Sequence, residues 1–153
     1  MGWDEIIEKL NRAKATFLNR DRYLLEVNAN ERSMTHKFAE YLQQEFEDWN
    51  VDCEYNRDGD VPKRLRGKLY NEVSPADEDA RTVFPDIIVH RRGRQGAGEA
   101  RNLLVIEAKK SGNKDRTDCD KLAAFKNDEY RYPFAALLLF VTDGPPDIEI
   151  APC

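Results

Sequence analysis

The chain has 153 residues, of which 41% are hydrophobic and 35% are charged, and its formal net charge is -5 at pH 7. This length suits one domain around a single core, so we expect residues 1–153 to form one domain. The sequence has no run of about 18 apolar residues that could span a membrane, and its acidic start is unlike a secretory signal. We expect a cytoplasmic protein without a membrane partner.

The first half of the chain predicts two helices and a strand. Apolar residues at helical spacing predict a first helix over about 4–18. Asn30 is a good N-cap for a second helix over about 31–47. Alternation of apolar and acidic residues predicts a strand with one buried face at 51–55. The long polar stretch 57–83 is either a functional loop or partly disordered.

The second half predicts a hairpin, a helix and a buried strand. Residues 86–92 and 102–109 are rich in β-branched residues, and the glycine-bearing segment between them predicts an antiparallel hairpin. A helix is expected over 117–127, and the apolar run 135–141 is typical of a strand buried on both faces. Residues 147–150 add either one short strand or nothing.

Cysteine and histidine patterns exclude two common kinds of site. The cysteines are far apart and form no C-x-x-C pair, and with two histidines the chain composes no zinc-finger spacing. We therefore expect neither structural zinc nor a disulfide framework. His36 is predicted on the polar face of the second helix and His90 as a structural or exposed histidine, so neither is assigned a catalytic role.

The predicted hairpin brings two carboxylates together. Alternate residues of a strand share a face, so Glu107 and Lys109 point together. If the hairpin turns about the middle of its loop, Glu107 lies opposite Asp86. Like charges opposed across adjacent strands, roughly 5 Å apart, destabilise a sheet unless a positive group lies between them. We therefore expect Mg²⁺ in a shell of carboxylate, carbonyl and water oxygens, with Lys109 holding a water or phosphoryl oxygen beside it.

This arrangement resembles the PD-(D/E)XK nuclease superfamily, which has the restriction-endonuclease-like fold. The signature corresponds here to Pro85-Asp86 and, 21 residues after the aspartate, Glu107-Ala108-Lys109. The resemblance implies a fold of the broad α/β class. More narrowly, it implies an α+β arrangement of helices around a mixed sheet. Its core is a helix, a three-stranded antiparallel meander, a helix and a further strand. This core would cover about residues 30–142, with an extra N-terminal helix in the extension 1–29.

The same resemblance implies a metal-dependent nuclease that hydrolyses phosphodiester bonds and leaves 5′-phosphate and 3′-hydroxyl ends. The expected substrate is DNA, with RNA not excluded, and the protein would act alone, as a homodimer or with a recognition subunit. Asp86, Glu107 and the backbone carbonyl of Ala108 would hold Mg²⁺, for which Mn²⁺ could substitute, and Lys109 would activate or orient the attacking water. The alternative is a catalytically inactive protein of this fold that binds nucleic acid or a protein partner.

Many members of that superfamily add an acid from the first core helix. This chain offers Glu31, Glu40 and Glu45. At 100° per residue Glu40 faces solvent, and Glu45 lies near the deep end of the helix. Glu31 sits at the helix start, where it can point inward without being buried, and we predict it as a further catalytic and metal-binding residue. The alternative is that the helix dipole alone favours an acid there.

Positive charge is concentrated in the middle of the chain. Residues 61–116 carry 13 Lys and Arg against 8 Asp and Glu, whereas residues 1–60 carry 8 against 14. These basic residues either lie in loops that bind the phosphate backbone of a nucleic acid, or they lie in loops that are merely solvated. Antiparallel pairing places the start of the Asp86 strand beside the end of the Glu107 strand. We assign nucleic-acid binding to the bases that flank this end: Lys63, Arg64, Arg66, Lys68, Lys110, Lys114 and Arg116.

Overall fold

Three helices precede the strands along the chain, which is an α+β order. The computed structural model describes residues 1–54, 57–58, 61–62, 85–93, 101–111, 122–123, 125–126 and 131–153. The helices are α1 (Trp3–Arg20), α2 (Arg22–Glu26) and α3 (Glu31–Glu45), and residues 122–123 and 125–126 are also helical. The strands are β1 (Asn50–Cys53), β2 (Arg57–Asp58), β3 (Val61–Pro62), β4 (Ile87–His90), β5 (Asn102–Lys110), β6 (Phe134–Val141) and β7 (Asp147–Pro152).

Five of these strands form one mixed sheet in the order β1-β4-β5-β6-β7, while β2 and β3 form a separate hairpin. The neighbours β1, β4 and β5 run antiparallel. Strand β6 lies parallel to β5, and β7 returns antiparallel to β6. A parallel step needs a crossover connection, and the helical residues 122–123 and 125–126 lie within it. The predicted mixed sheet and the antiparallel hairpin are therefore both confirmed.

The register of the β4–β5 hairpin decides which residues meet at its end. Ile87 pairs with Ile106, and Ile88 pairs with Val105. One further step in the same register sets Asp86 opposite Glu107, which agrees with the pairing expected from the loop centre. The register shifts after Val89. This irregularity lies toward the loop, so it leaves the pairing near Asp86 unchanged.

Alternate positions along the central strands build an apolar cluster on each face of the sheet. Ile87 and Ile106 join α1 and α3 in the larger cluster. Ile88 and Val105 join helical residues of the crossover in the smaller one. Burial on both faces explains the nearly continuous apolar runs of β5 and β6, because a strand covered on both sides has no solvent-facing positions to alternate.

Most predicted elements within the described residues agree with the structure except at their ends. The strand expected at 51–55 is present as β1, but it is half-buried along its whole length rather than on one face. The helix expected over 117–127 lies outside the described residues except at 122–123 and 125–126, and the polar stretch 57–83, also mostly outside them, contains the hairpin of β2 and β3, which was not predicted.

Helix α3 begins at Glu31, and the Asn30 side chain accepts a 2.7 Å hydrogen bond from Ser33 N, so the predicted cap is confirmed. The first helix runs two residues past its predicted end, and the strand expected near 147–150 is present as β7. The sequence did not predict α2. Within the described ranges, no helix is long and apolar enough to cross a lipid bilayer.

Candidate functional site

The Asp86 carboxylate lies against the backbone of β5. Its Oδ2 accepts a hydrogen bond from Ala108 N at 2.8 Å. The Asp86 carbonyl accepts a bond from Glu54 N at 3.1 Å, so the backbone of Asp86 still pairs toward β1. Asp86 directly precedes Ile87, the first residue of β4. Where the β4–β5 ladder ends, a side-chain oxygen thus takes the place of the next backbone acceptor, which satisfies an amide that would otherwise lose its partner.

Glu31 reaches the same strand from the start of α3. Its Oε2 accepts a hydrogen bond from Lys110 N at 3.0 Å. The Lys110 ammonium in turn donates to the carbonyls of Ala29 at 3.1 Å and Asn28 at 3.4 Å. Both the backbone and the side chain of Lys110 therefore hold the start of α3 against the end of β5. The nucleic-acid role assigned to Lys110 stays a prediction.

The two carboxylates bind neighbouring amides on one edge of β5. Ala108 and Lys110 are two residues apart, so their amides leave the same edge about 7 Å apart. Ser111 N donates to Phe140 O on the opposite edge, as the alternation requires. In a strand the carbonyl of a residue points to the same edge as its amide. The Ala108 carbonyl therefore leaves this edge between the Asp86 and Glu31 carboxylates.

Glu107 and Lys109 project from one face of the same strand end. Glu107 is 1% exposed and follows Val105 on the face that packs against the crossover helix. Lys109 is half-buried on that face. Burying a carboxylate costs several kcal/mol unless cations or hydrogen bonds compensate it. A buried acid followed by a half-buried lysine on the same face is an arrangement of the kind found at functional sites.

A cleft of about 520 Å³ opens beside Asp86 and Glu31. The described residues that line it also include Arg32, Thr35, His36, Cys53 and Glu54. Arg32 and Glu54 form an ion pair at 3.0 Å, and Glu54 adopts a left-handed backbone conformation with φ 50°. Sequence reasoning missed this pair. Its signal was the position of Glu54 directly after the strand that pairs with β4.

The cleft has a negative electrostatic environment. Burial raises the pKa of the Cys53 thiol to about 11, and the charges of Asp52, Glu54 and Asp86 act in the same direction. Cys53 is therefore protonated at neutral pH and is a poor nucleophile. The same charges favour a cation in the cleft.

His90 lies outside this constellation of acids. His90 is 2% exposed, and its Nε2 lies 2.7 Å from Asp52 Oδ2. Arg92 also pairs with Asp52. Burial disfavours the Asp52 carboxylate, but hydrogen bonds from Arg92 and His90 outweigh burial and hold the pKa of Asp52 below its usual value. His90 thus has a structural partner at the loop end of β4.

The outward face of α3 agrees with the helix arithmetic. The His36 side chain is 68% exposed, although the residue lines the cleft, and its Nε2 lies 3.2 Å from Glu40. Glu40 also pairs with Lys37 at 2.6 Å and is 45% exposed. The solvent-facing position predicted for Glu40 is confirmed. Glu45 is bound by Arg12 of α1, at the opposite end of α3 from Glu31.

The donor atoms at the end of β5 suit a hard cation, because they are carboxylate and carbonyl oxygens. Across the described ranges, no group of three or more His, Cys, Asp or Glu side chains is arranged to hold a metal ion. The Asp86 and Glu31 carboxylates bind amides two residues apart, on either side of the Ala108 carbonyl. Each hydrogen bond occupies one of the two oxygens of its carboxylate.

Most of the bases assigned to nucleic-acid binding fall outside the described residues: Lys63, Arg64, Arg66, Lys68, Lys114 and Arg116. Their role stays a prediction. Comparisons of the chain with protein-family models, curated proteins and solved structures found no match. A function for this protein must therefore be inferred from its own residues.

Proposed function

We propose that the protein is a metal-dependent nuclease of the PD-(D/E)XK type that hydrolyses phosphodiester bonds in DNA. The observation that carries this proposal is the end of β5. There the Asp86 and Glu31 carboxylates bind the backbone on either side of the Ala108 carbonyl. The Glu107 and Lys109 side chains leave the same short stretch of strand. Acids and a lysine from three separate parts of the chain thus lie along one strand end, which supports the proposal.

The order of elements supports a restriction-endonuclease-like core. Helix α3 precedes the meander of β1, β4 and β5, helical residues follow in the crossover, and β6 completes the series. This is the succession that the resemblance implies. The site then lies where β5 continues beyond the start of β4, next to the first core helix. The proximity of this helix to the strand end supports a role for its acid beside the two acids of the hairpin.

The proposed reaction needs two kinds of residue, ligands for the metal and a fixed positive charge. Asp86, Glu107, the Ala108 carbonyl and Glu31 would hold Mg²⁺ or Mn²⁺, which when bound lowers the pKa of a water and stabilises charge on the phosphate. Lys109 places a fixed positive charge on the face of Glu107, where it orients a water or phosphoryl oxygen. Asp86 and Glu31 are held in place by backbone amides, so little reorganisation is needed.

The acidic residues of the cleft create an electrostatic repulsion that opposes the binding of DNA. Glu31, Glu54 and Asp86 repel a polyanion, so binding requires compensating positive charge. Arg32 lies at the cleft, its side chain is 81% exposed, and it forms an ion pair with Glu54. A phosphate could replace Glu54 as the partner of this guanidinium, because arginine forms bidentate bonds to phosphate. The predicted basic clusters would add to this attraction.

The second candidate is a protein of the same fold that binds nucleic acid or a protein partner without cutting. One observation favours it: among the described residues, the acids do not converge into a group of three that could hold a metal. Carboxylates that merely cap the amides at a strand end would show the same hydrogen bonds as Asp86 and Glu31. The two candidates differ in their response to a metal, since only the nuclease needs one.

The distinguishing experiment measures cutting and binding on the same samples. Supercoiled, linear, single-stranded and branched DNA, and an RNA, are incubated with the protein in Mg²⁺ and in chelator. Fluorescence anisotropy follows binding in parallel. The nuclease hypothesis expects cleavage of at least one substrate in Mg²⁺ and none in chelator. Binding that is retained with no cleavage under either condition would contradict it and support the second candidate.

A further inference from the structure

Pro85 stands at a special position in the hairpin register. It is buried and directly precedes Asp86. Two further steps beyond the pair of Ile87 and Ile106 set Pro85 opposite Ala108. The Ala108 amide leaves β5 on the edge that faces β4. An opposed pair of this kind normally exchanges two hydrogen bonds, one in each direction.

Neither of those two ladder bonds can form in the usual way. Proline has no backbone N–H, so Pro85 cannot donate to the Ala108 carbonyl. The Ala108 N–H already donates to Asp86 Oδ2 at 2.8 Å. A proline thus removes the donor of this pair, and a side-chain carboxylate replaces the acceptor. Both changes come from adjacent residues, Pro85 and Asp86.

We propose that Pro85 is a positioning residue that keeps the Ala108 carbonyl open as an oxygen ligand for a divalent cation. The inference rests on the proposed function and extends it to Pro85, whose side chain has no atom that could bind a metal. Any other residue at position 85 would supply an N–H that could extend the ladder over this carbonyl. That N–H would also direct a positive hydrogen toward the place where the cation binds.

The Ala108 carbonyl lies where an additional hydrogen bond from residue 85 would affect the proposed metal site directly. Along the edge of β5, the Ala108 carbonyl lies between the amides that bind Asp86 and Glu31. The Ala108 carbonyl oxygen therefore stands in a row with the oxygens of the Asp86 and Glu31 carboxylates. The three groups come from β5, from the residue before β4 and from α3. Strand β4 would cover this row if its ladder continued by two residues. Pro85 ends the ladder where the row begins.

A labelling scheme isolates the carbonyl in the full chain. The sequence contains two Ala–Lys pairs, Ala13-Lys14 and Ala108-Lys109. Protein with carbonyl-¹³C alanine and ¹⁵N lysine therefore gives two peaks in an HNCO spectrum. Ala13 lies inside α1 and serves as the internal reference. The variants are Pro85→Ala and, as the matched control, Pro133→Ala, which alters an exposed proline just before β6.

In the parent protein, titration with Mg²⁺ should shift the Ala108 carbonyl peak and leave the Ala13 peak unmoved. In Pro85→Ala the Ala108 peak should already be displaced without metal, and the new amide at position 85 should exchange slowly with solvent. The Mg²⁺ concentration for half-maximal shift should rise about 10-fold or more, the scale seen when support of a metal ligand is lost. Pro133→Ala should match the parent.

Two results would overturn the proposal. One is an Ala108 peak in the parent protein that does not respond to Mg²⁺, a result that needs no variant to fold. The other is a Pro85→Ala protein with an unshifted peak, a rapidly exchanging amide and an unchanged Mg²⁺ response. If the carbonyl responds as expected but no nucleic acid is cut, the proposed nuclease is contradicted while the assignment of Pro85 is supported.

Discussion

Replacing Glu31 with glutamine separates its structural contact from its proposed metal role. The parent carboxylate accepts a 3.0 Å hydrogen bond from Lys110 N and lies in the first turn of α3. Glutamine keeps an acceptor oxygen but removes the charge. Hydrogen bonds to charged groups contribute about 1.5–3 kcal/mol and neutral ones about 0.5–1.5 kcal/mol, so about 1 kcal/mol should be lost. The favourable helix-dipole interaction adds about 0.3–1 kcal/mol to this loss.

The expected total is about 1–2 kcal/mol, or roughly 3–6 °C in Tm for a chain of this size. Denaturant unfolding followed by tryptophan fluorescence, in metal-free buffer, measures it. Glu31→Ala should lose more, because it leaves the Lys110 amide without this acceptor. Glu40→Gln is the control, since Glu40 is exposed and forms surface ion pairs worth about 0–1 kcal/mol.

The catalytic part of this prediction is measured in the same variants. Glu31→Gln should raise the Mg²⁺ concentration for half-maximal cleavage by about 10- to 100-fold, with activity partly restored at high metal. Glu40→Gln should cleave like the parent. A Glu31→Ala protein with parental stability would refute the contact with β5. A loss of stability with an unchanged Mg²⁺ requirement would leave Glu31 a purely structural residue.

Three further predictions concern other residues. Lys109→Met should slow single-turnover cleavage by about 10²- to 10⁴-fold while DNA association remains, and full activity would defeat the proposed role of Lys109. The lowered pKa of Asp52 stabilises the fold above its unfolded value of about 3.9, and this contribution should disappear as pH falls through the lowered folded pKa. Acid unfolding of Asp52→Asn should lack that component, and identical acid profiles would contradict it. Lys110→Met should destabilise the protein by about 1–3 kcal/mol in denaturant unfolding, because the carbonyls of Asn28 and Ala29 lose a charged donor, whereas parental stability would show that this contact is unimportant.

The sequence predicted the hairpin well because local physics determines its register. A loop that turns about its centre sets Asp86 opposite Glu107, and the observed pairs of Ile87 and Ile88 follow the same register. Helix α3 was also predictable, since Asn30 is a strong cap and the apolar positions repeat at helical spacing. Helix α2 was missed because five residues are too few to display a period. The residues that face solvent on α3, such as Glu40, followed from geometry alone.

The contacts that assemble the site were less accessible to sequence reasoning. The bond from Lys110 N to Glu31 joins residues 79 positions apart, and no local pattern encodes it. Sequence reasoning chose Glu31 from its place on the helix, but it did not predict the bonds from the Lys110 ammonium to the carbonyls that precede α3. The Arg32–Glu54 ion pair was missed for the same reason, because it depends on how α3 packs beside β1.

Cleavage by the parent protein and by Glu107→Gln, purified side by side, decides whether the strand end is a catalytic site. Glu107 is buried at the signature position, and glutamine has nearly the same shape without the charge. The parent should cut DNA in Mg²⁺ and stop in chelator. Glu107→Gln should be folded, bind DNA and show cleavage reduced by at least about 10²-fold. Equal cleavage by both proteins would contradict the assignment of this site, and so would cleavage by the parent that persists in chelator.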